Sequence, residues 1–525
     1  MENFGFAFLL PFILSIFFLI WQEDVIFPSI GGLFLGSILI SKFNPFLGFL
    51  NITGVLIRNA LTDNLNIFTI LIITEGLLLF SLLNRSGFIN TLRKEFSNKS
   101  LTKNRLEYII SLSTLVLFID RYFSSLLVGI FSKPFAEKKK LSPVKHAYIL
   151  NTVSSSVSTI IPFTTITPFA IASIAAAFTN LGIGYSPIKA FYKSLPYQYF
   201  NIFSLFVALS TIVLNKDIFL MKKYNINDNE SVSSFNQYNS ISFGLSVNSK
   251  KQADFRTALY GTVGSLILIF GLIIGGFIVN QHGYNKLTIL NIQNHQIIFI
   301  SAIFAGIIFI ILFSLTTKSQ NYSQYKQKRN GISSALLIAL IYIVLAMSIE
   351  SLARKLGFSS SLIGFLLTGS TRNTLIPMIF FLFSSLISFL SGSFLFTITT
   401  VMPLAIRLIS LNMTDPLIID NIIFASIGSV LSGATFGDIN SPFSLNFIIS
   451  TASAETSVSR HFKSQIVYSL IAIIVTLIFG YLVFALGLKP YLSISSGILA
   501  ISLIFLFINH DVPVLDRIKK YTKLQ

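Results

Sequence analysis

Few side chains in this sequence can do chemistry, because most of it is apolar. The sharpest candidate is Asp438. It sits in Ser432-Gly-Ala-Thr-Phe-Gly-Asp-Ile-Asn-Ser-Pro-Phe-Ser444, inside a long apolar region. Asn440, Ser441 and Ser444 add neutral oxygens, and Gly437 and Pro442 are expected to loosen the backbone. Polar, irregular backbone at membrane depth is tolerated only where protein or a water-filled cavity covers it. An ionisable residue there points to function by default. A carboxylate at a helix break can bind a proton or a small cation in competition. The plainer duty of Asp438 is to cap the helix after the break, which leaves the surrounding polar cluster unexplained.

The first half holds a weaker counterpart. Asp120-Arg121 interrupts the apolar stretch 106–132. The two charges read either as a structural ion pair, since burying one alone is costly, or as an internal cation beside a transported one. Asn151, Thr152, Ser154 and Ser155 offer neutral ligand oxygens, or close helix packing through small polar residues. Ser391-Gly392-Ser393 has the same two readings. Glu75 lies mid-span and is a candidate proton relay. Glu350, near a span end, reads as an interfacial charge, and His461, beside Arg460 and Lys463, as a rim residue.

The elements that must position these residues are membrane helices. Of 525 residues 53% are hydrophobic and 11% charged, against about 25% charged in soluble domains. Apolar segments of ~20 residues recur, each able to cross a hydrocarbon core of roughly 30 Å. The expectation is an all-α polytopic membrane protein. The net charge of +18 fits basic cytoplasmic loops better than a nucleic-acid surface. There is no Cys, which excludes disulfides and thiol chemistry. The five His show no metal-binding spacing. No Gly-x-x-x-x-Gly-Lys-Ser/Thr loop occurs, so transport would draw on an ion gradient, and no cofactor is expected. The chain is not expected to be an enzyme.

Charge then sets the topology. Residues 84–105 and 133–145 are both strongly basic, so 106–132 should enter and leave on one side as a re-entrant hairpin. Each arm of roughly 13 residues rises about 20 Å as helix. Residues 146–178, broken by Pro162 and Pro168, read as a broken helix. In the second half, 373–409 reads as a hairpin turning at Ser391-Gly392-Ser393, and 418–455 as a second broken helix. Residues 4–20 read as a retained first span, and 42–65 as a polar loop. The N-terminal half is 1–214, the polar cytoplasmic linker 215–255 and the C-terminal half 256–525. This gives about eleven crossings and two hairpins, with the N-terminus outside and the C-terminus cytoplasmic. Inverted repeats with two broken helices mark secondary transporters.

At these residues the sequence resembles the NhaC-type sodium/proton antiporters of the ion-transporter superfamily. The resemblance runs through Gly76 to Gly87, Leu117-Phe-Ile-Asp-Arg-Tyr122, Ser142 to Thr152, Ile161-Pro162, Ser391 to Ala405 and Ser432 to Ser444. It implies Na+/H+ antiport in the cell membrane, with Asp438 and Asp120 as ligands. The chain departs from the family at three acidic positions. Arg121 stands where the family has the second Asp of Asp-Asp-Tyr, and Asn151-Thr152 where it has Asp-Ser. Leu445-Asn446 stands where it has Asp-Thr. With Arg121 basic, an ion-coupled carrier of an organic anion or amino acid is the alternative. The expected partners are lipid and small inorganic cations, and a homo-oligomer is compatible with the sequence.

Overall fold

A computed structural model describes residues 9–22, 25–98, 102–227, 254–282, 292–316, 329–357, 373–412 and 416–507, and every regular element among them is a helix. Ten helices build the site. The first hairpin is α1 (Lys103–Val116) and α2 (Arg121–Lys138), followed by α3 (Pro143–Ile160), α4 (Thr167–Leu181) and α5 (Tyr199–Val213). The second hairpin is α6 (Ile376–Ser391) and α7 (Phe394–Asn412), followed by α8 (Pro416–Asn440), α9 (Leu445–Ala454) and α10 (Val458–Ala485).

Local chemistry sets the breaks. Thr102 caps α1 by accepting from the Arg105 N–H. The chain leaves helical geometry after Val116. Asp120, in extended conformation, restarts it by accepting from the Phe123 N–H at 2.8 Å, the usual service of an N-cap carboxylate. Gly392 ends α6 with φ +68°, which glycine adopts without steric cost. Ser393 then caps α7 by accepting from the Phe396 N–H at 3.2 Å. The breaks within the two long helices fall at residues 161–166 and 441–444, around Pro162 and Pro442. These gaps, at 117–120, 161–166, 392–393 and 441–444, fall inside the segments 106–132, 146–178, 373–409 and 418–455.

The two halves interlock reciprocally. Arms α1 and α2 pack on each other and on α3, and α6 and α7 pack on each other and on α8. The second piece of each broken helix crosses over, α4 onto α7 and α9 onto α2. Helices α5 and α10 each touch both α3 and α8. This is the packing of an inverted repeat.

Gly437 acts differently from the expectation, together with Gly433. The helix α8 runs unbroken through both to Asn440. A β-carbon at Gly437 would lie 2.2 Å from the Ser388 carbonyl carbon, and one at Gly433 2.6 Å from the Phe381 carbonyl oxygen. Spaced four apart they form one small face against which α6 packs backbone to backbone. They set helix proximity rather than loosening the chain.

Six helices among the described residues are long and apolar enough to cross a membrane, or eight if each of two bent pairs is one span. The expected polar loop 42–65 is instead largely helical. Helix Pro45–Thr62 is bent by 117° from Ile26–Ile40. Lys42 and Phe43 take positive φ, and Asn44 caps the new helix by accepting from the Phe46 and Leu47 N–H groups. In the run Phe46-Leu-Gly-Phe-Leu only Gly48 is buried, and the large apolar side chains face outward. Of the expected linker 215–255, residues 215–227, which hold helix Phe219–Asn227, and 254–255 are described. Residues 4–8 of the expected first span lie outside the described residues.

Candidate functional site

The hairpin tips and the helix breaks meet at the centre of the bundle. Asp438, in the last turn of α8, is buried, as is Arg121, the first residue of α2. The two form an ion pair through Arg121 Nη1 and Asp438 Oδ2. Ser155 donates to the same carboxylate oxygen at 2.8 Å, and Ser444, from the break, donates to Oδ1 at 2.9 Å. Both oxygens of Asp438 are thus engaged, by groups from α2, α3 and the break. Arg121 Nη2 donates to Thr159 Oγ1 at 2.9 Å, and the guanidinium lies 4.4 Å from the centre of the Phe394 ring. A guanidinium over an aromatic face gains from the ring quadrupole, more so away from water. Thr159 in turn touches Thr435 of α8 at 3.2 Å. Arg121 Nε is buried with no hydrogen-bond partner.

A second layer fixes this centre. Asn446, in the first turn of α9, donates to Ser155 at 2.7 Å, Ser154 at 2.9 Å and Asn151 Oδ1 at 3.1 Å. Asn151 donates to the Ile439 carbonyl at 2.8 Å and to Gln465 Oε1 at 3.1 Å. Gln465 of α10 donates to that same carbonyl at 2.7 Å. Ser125 of α2 donates to Asn446 Oδ1 at 2.9 Å and meets Ser154 at 2.8 Å. The free carbonyl at the end of α8 is thereby satisfied by side chains from α3 and α10, as a buried helix end requires.

The structure divides the expected site residues. Asp438, Arg121, Ser444, Asn151 and Ser154 belong to one network. Arg121 pairs with Asp438 of the other half, not with its neighbour Asp120. Asp120 is buried too, but its oxygens take the Phe123 N–H and, at 2.7 Å, the Thr165 hydroxyl. Ser391 and Ser393 build the hairpin turn. Ser391 donates to Ile387 O and accepts from the Ser393 N–H. Asn440 donates to Phe436 O within its own helix, and Ser441 accepts from the Phe443 N–H. Thr152 Oγ1 is buried without a hydrogen-bond partner, as is Glu75 Oε2, and neither joins the network. His461 is not a rim residue. It is fully buried, stacked 4.1 Å from Phe447 and bonded to Thr451.

Thr159, Gln465, Ser125 and Phe394 were not singled out from the sequence, while Asn446 stood out only as a departure from the family pattern and Thr435 only as part of the motif around Asp438. Ser155 and Thr159, four apart on α3, share a face, and that spacing was a usable signal. The others are single polar or aromatic residues in apolar runs, and only the tertiary contacts identify them.

Two cavities with shared lining residues lie near this centre. A cleft of about 260 Å³ is lined by Asp63, Asn66, Glu350, Arg354 and Lys355. It shares Asn66 and Glu350 with a cavity of about 20 Å³ walled by Tyr122, Ser393 and Phe443. The inner cavity has room for a water. Glu350, near the end of helix Arg329–Lys355, lines both cavities. It bonds Arg354 at the junction of the two cavities. Asp438 itself is 1% exposed and closed off.

A family model described as the Na+/H+ antiporter family matches residues 165–486. An uncharacterized protein of Haemophilus influenzae is 23% identical over 499 residues, covering 90% of each chain. Among solved structures the Alcanivorax borkumensis YdaH transporter, whose title notes an unusual topology, aligns with 86% of this chain and 91% of its own. Its identity is 14% and its TM-score 0.41, too loose a likeness to carry geometry across.

Proposed function

Matched over more than half its length, this chain belongs to the Na+/H+ antiporter family, and on that premise we propose that it exchanges sodium for protons through Asp438. One observation carries the reading: the buried Asp438 carboxylate already holds a cation, the Arg121 guanidinium, among hydroxyl oxygens from Ser155 and Ser444. A carboxylate with neutral hard oxygens suits a small hard cation. Sodium would take the place of the guanidinium on Asp438, with the Ser155 and Ser444 oxygens as further ligands. A proton on Asp438 would equally release Arg121. Proton and sodium then exclude each other at one carboxylate, which couples their movements in opposite directions. The released Arg121 keeps Thr159 and the Phe394 ring as partners. Asp120 is the second candidate ligand, and joining the site requires it to give up its cap on α2. The basic loops favour an orientation in the cell membrane with the N-terminus outside and the C-terminus cytoplasmic.

A second reading rests on the unpartnered Arg121 Nε. A buried donor left over could meet the carboxylate of an organic anion or amino acid, with Asp438 as the internal stand-in. Reconstitution into vesicles with an imposed pH gradient separates the two. Antiport predicts that Na+ collapses the gradient and that Asp438→Asn abolishes the response. If neither Na+, Li+ nor K+ dissipates the gradient while an organic acid accumulates, the second reading replaces the first.

A further inference from the structure

A second carboxylate–guanidinium pair lies at the cavities. Glu350 Oε1 accepts from Arg354 Nη2 at 2.5 Å and from Arg354 Nε at 3.0 Å, one turn further along helix Arg329–Lys355. The Glu350 side chain is 13% exposed and that of Arg354 37%, whereas Arg121 and Asp438 are paired out of water. Among the described residues that line the inner cavity, Glu350 alone carries a charge. The wider cleft reaches the surface at Asn59, Thr62 and Lys355. Asn66 also lines both cavities, and its amide nitrogen donates to the Ala60 carbonyl at 2.9 Å, which leaves its oxygen to accept. Tyr122, next in the chain to Arg121, lines the inner cavity and feels the charges of both Asp438 and Glu350. The two arginines share a further arrangement. The Arg121 guanidinium lies over the Phe394 ring, and the Arg354 guanidinium lies 5.1 Å from the centre of Phe396, two residues on in the first turn of α7. Each carboxylate thus holds a guanidinium that has an aromatic seat to fall back on. On an open helix face a pair of this spacing would be an ordinary surface contact. Here the carboxylate is more buried than its partner and lines a cavity.

We propose that Glu350, with the Asn66 carbonyl oxygen, is an outer binding site for the transported cation, from which Na+ passes by way of the inner cavity to Asp438. This rests on the exchange of sodium for protons at Asp438. A carboxylate and an amide oxygen suit a small hard cation that keeps part of its water. The arriving cation replaces Arg354 on Glu350, and the released guanidinium stays over Phe396. An ion pair partly in water is held weakly, so this replacement is easy. The buried pair of Asp438 and Arg121 yields less readily. Glu350 therefore sets how much Na+ is needed, and Asp438 sets how fast it crosses. Arg354 is the competitor that keeps Glu350 from holding the cation too tightly to pass it on.

Collapse of a pH gradient by the full chain in vesicles, followed over a range of Na+ with ionic strength held constant by choline, tests this. Constant ionic strength separates binding at Glu350 from a general surface-charge effect. Glu350→Gln should raise the Na+ concentration for half-maximal exchange about fivefold, equivalent to ~1 kcal/mol, while the rate at saturating Na+ changes much less. Glu350→Asp should bring the half-maximal concentration back toward wild type. Arg354→Gln removes the competitor and should lower it. That variant keeps the carboxylate, so it reports even where Glu350→Gln fails to assemble. Asp438→Asn should abolish exchange at every Na+ concentration, so the two carboxylates leave different signatures. With wild-type exchange intact, an unchanged half-maximal concentration in either Glu350→Gln or Arg354→Gln overturns the outer site and leaves the reading of Asp438 standing. A Glu350→Gln variant that loses only its saturating rate does the same. A wild type that responds to no alkali cation overturns both.

Discussion

Replacing Arg121 by Met, Asp438 by Asn, and both together should give costs that are far from additive. Each single change strands a buried polar group. Arg121→Met leaves the Asp438 carboxylate with only Ser155 and Ser444. Asp438→Asn leaves a guanidinium with Thr159 and the Phe394 ring. Breaking a buried pair by removing one partner costs about 3–5 kcal/mol, whereas replacing both often costs little. The coupling energy from the cycle should therefore be roughly 3 kcal/mol or more. At about 2.1 cal/mol/K per residue, a degree of Tm is worth ~1 kcal/mol in a chain this long. Each single variant should then unfold roughly 3–5 °C earlier in detergent, with the double variant closer to wild type. The assay is helical circular dichroism on heating. Additive shifts would show that the two side chains are not paired in the resting protein, and the competition scheme built on that pair would fall with them.

Two further substitutions test the frame. Gly437→Ala drives a methyl into the Ser388 backbone and should destabilise by about 1–3 kcal/mol. Gly31→Ala, with nothing within 4 Å, should leave unfolding unchanged in the same scan. At Asp120, Asn retains the cap on α2 and Ala removes it, so Ala alone should lose about 1 kcal/mol of stability. Equal transport by the wild type and Asp120→Asn would remove the Asp120 charge from the exchange.

The sequence shows where the chain breaks much better than what the breaks hold together. Pro162, Pro442 and the Gly392 turn are local punctuation. Their effect on φ and on backbone hydrogen bonds does not depend on the rest of the fold. The basic loops flanking 106–132 marked a hairpin in the same local way. The partner of Asp438 is a different kind of fact. Arg121 is 317 positions away in the chain and Ser155 is 283 away, and no periodicity encodes such a meeting. Neighbouring Asp120 and Arg121 looked like a pair. The helix start separates them, because Asp120 turns to cap α2 while Arg121 reaches across to the other half. Gly437 was misread for a related reason. A glycine that frees a backbone and a glycine that admits a neighbouring backbone are identical in sequence, and only the packing of α6 tells them apart. The helix Pro45–Thr62 was missed because its polar residues drew attention away from the apolar run between them.

The contact of Arg121 with Phe394 has a consequence for how such a molecule can be written in one chain. Each is the first residue of the outgoing arm of its hairpin, so the inverted repeat sets a position against its own counterpart. Two identical halves would be forced to place the same residue there twice. Two guanidiniums would repel, and two phenyl rings would leave Asp438 without a cation. Joining the halves covalently lifts that constraint, since a position and its counterpart can then differ. The asymmetry at the centre of this near-symmetric protein is what permits a single internal charge, and with it a single place where an ion can compete.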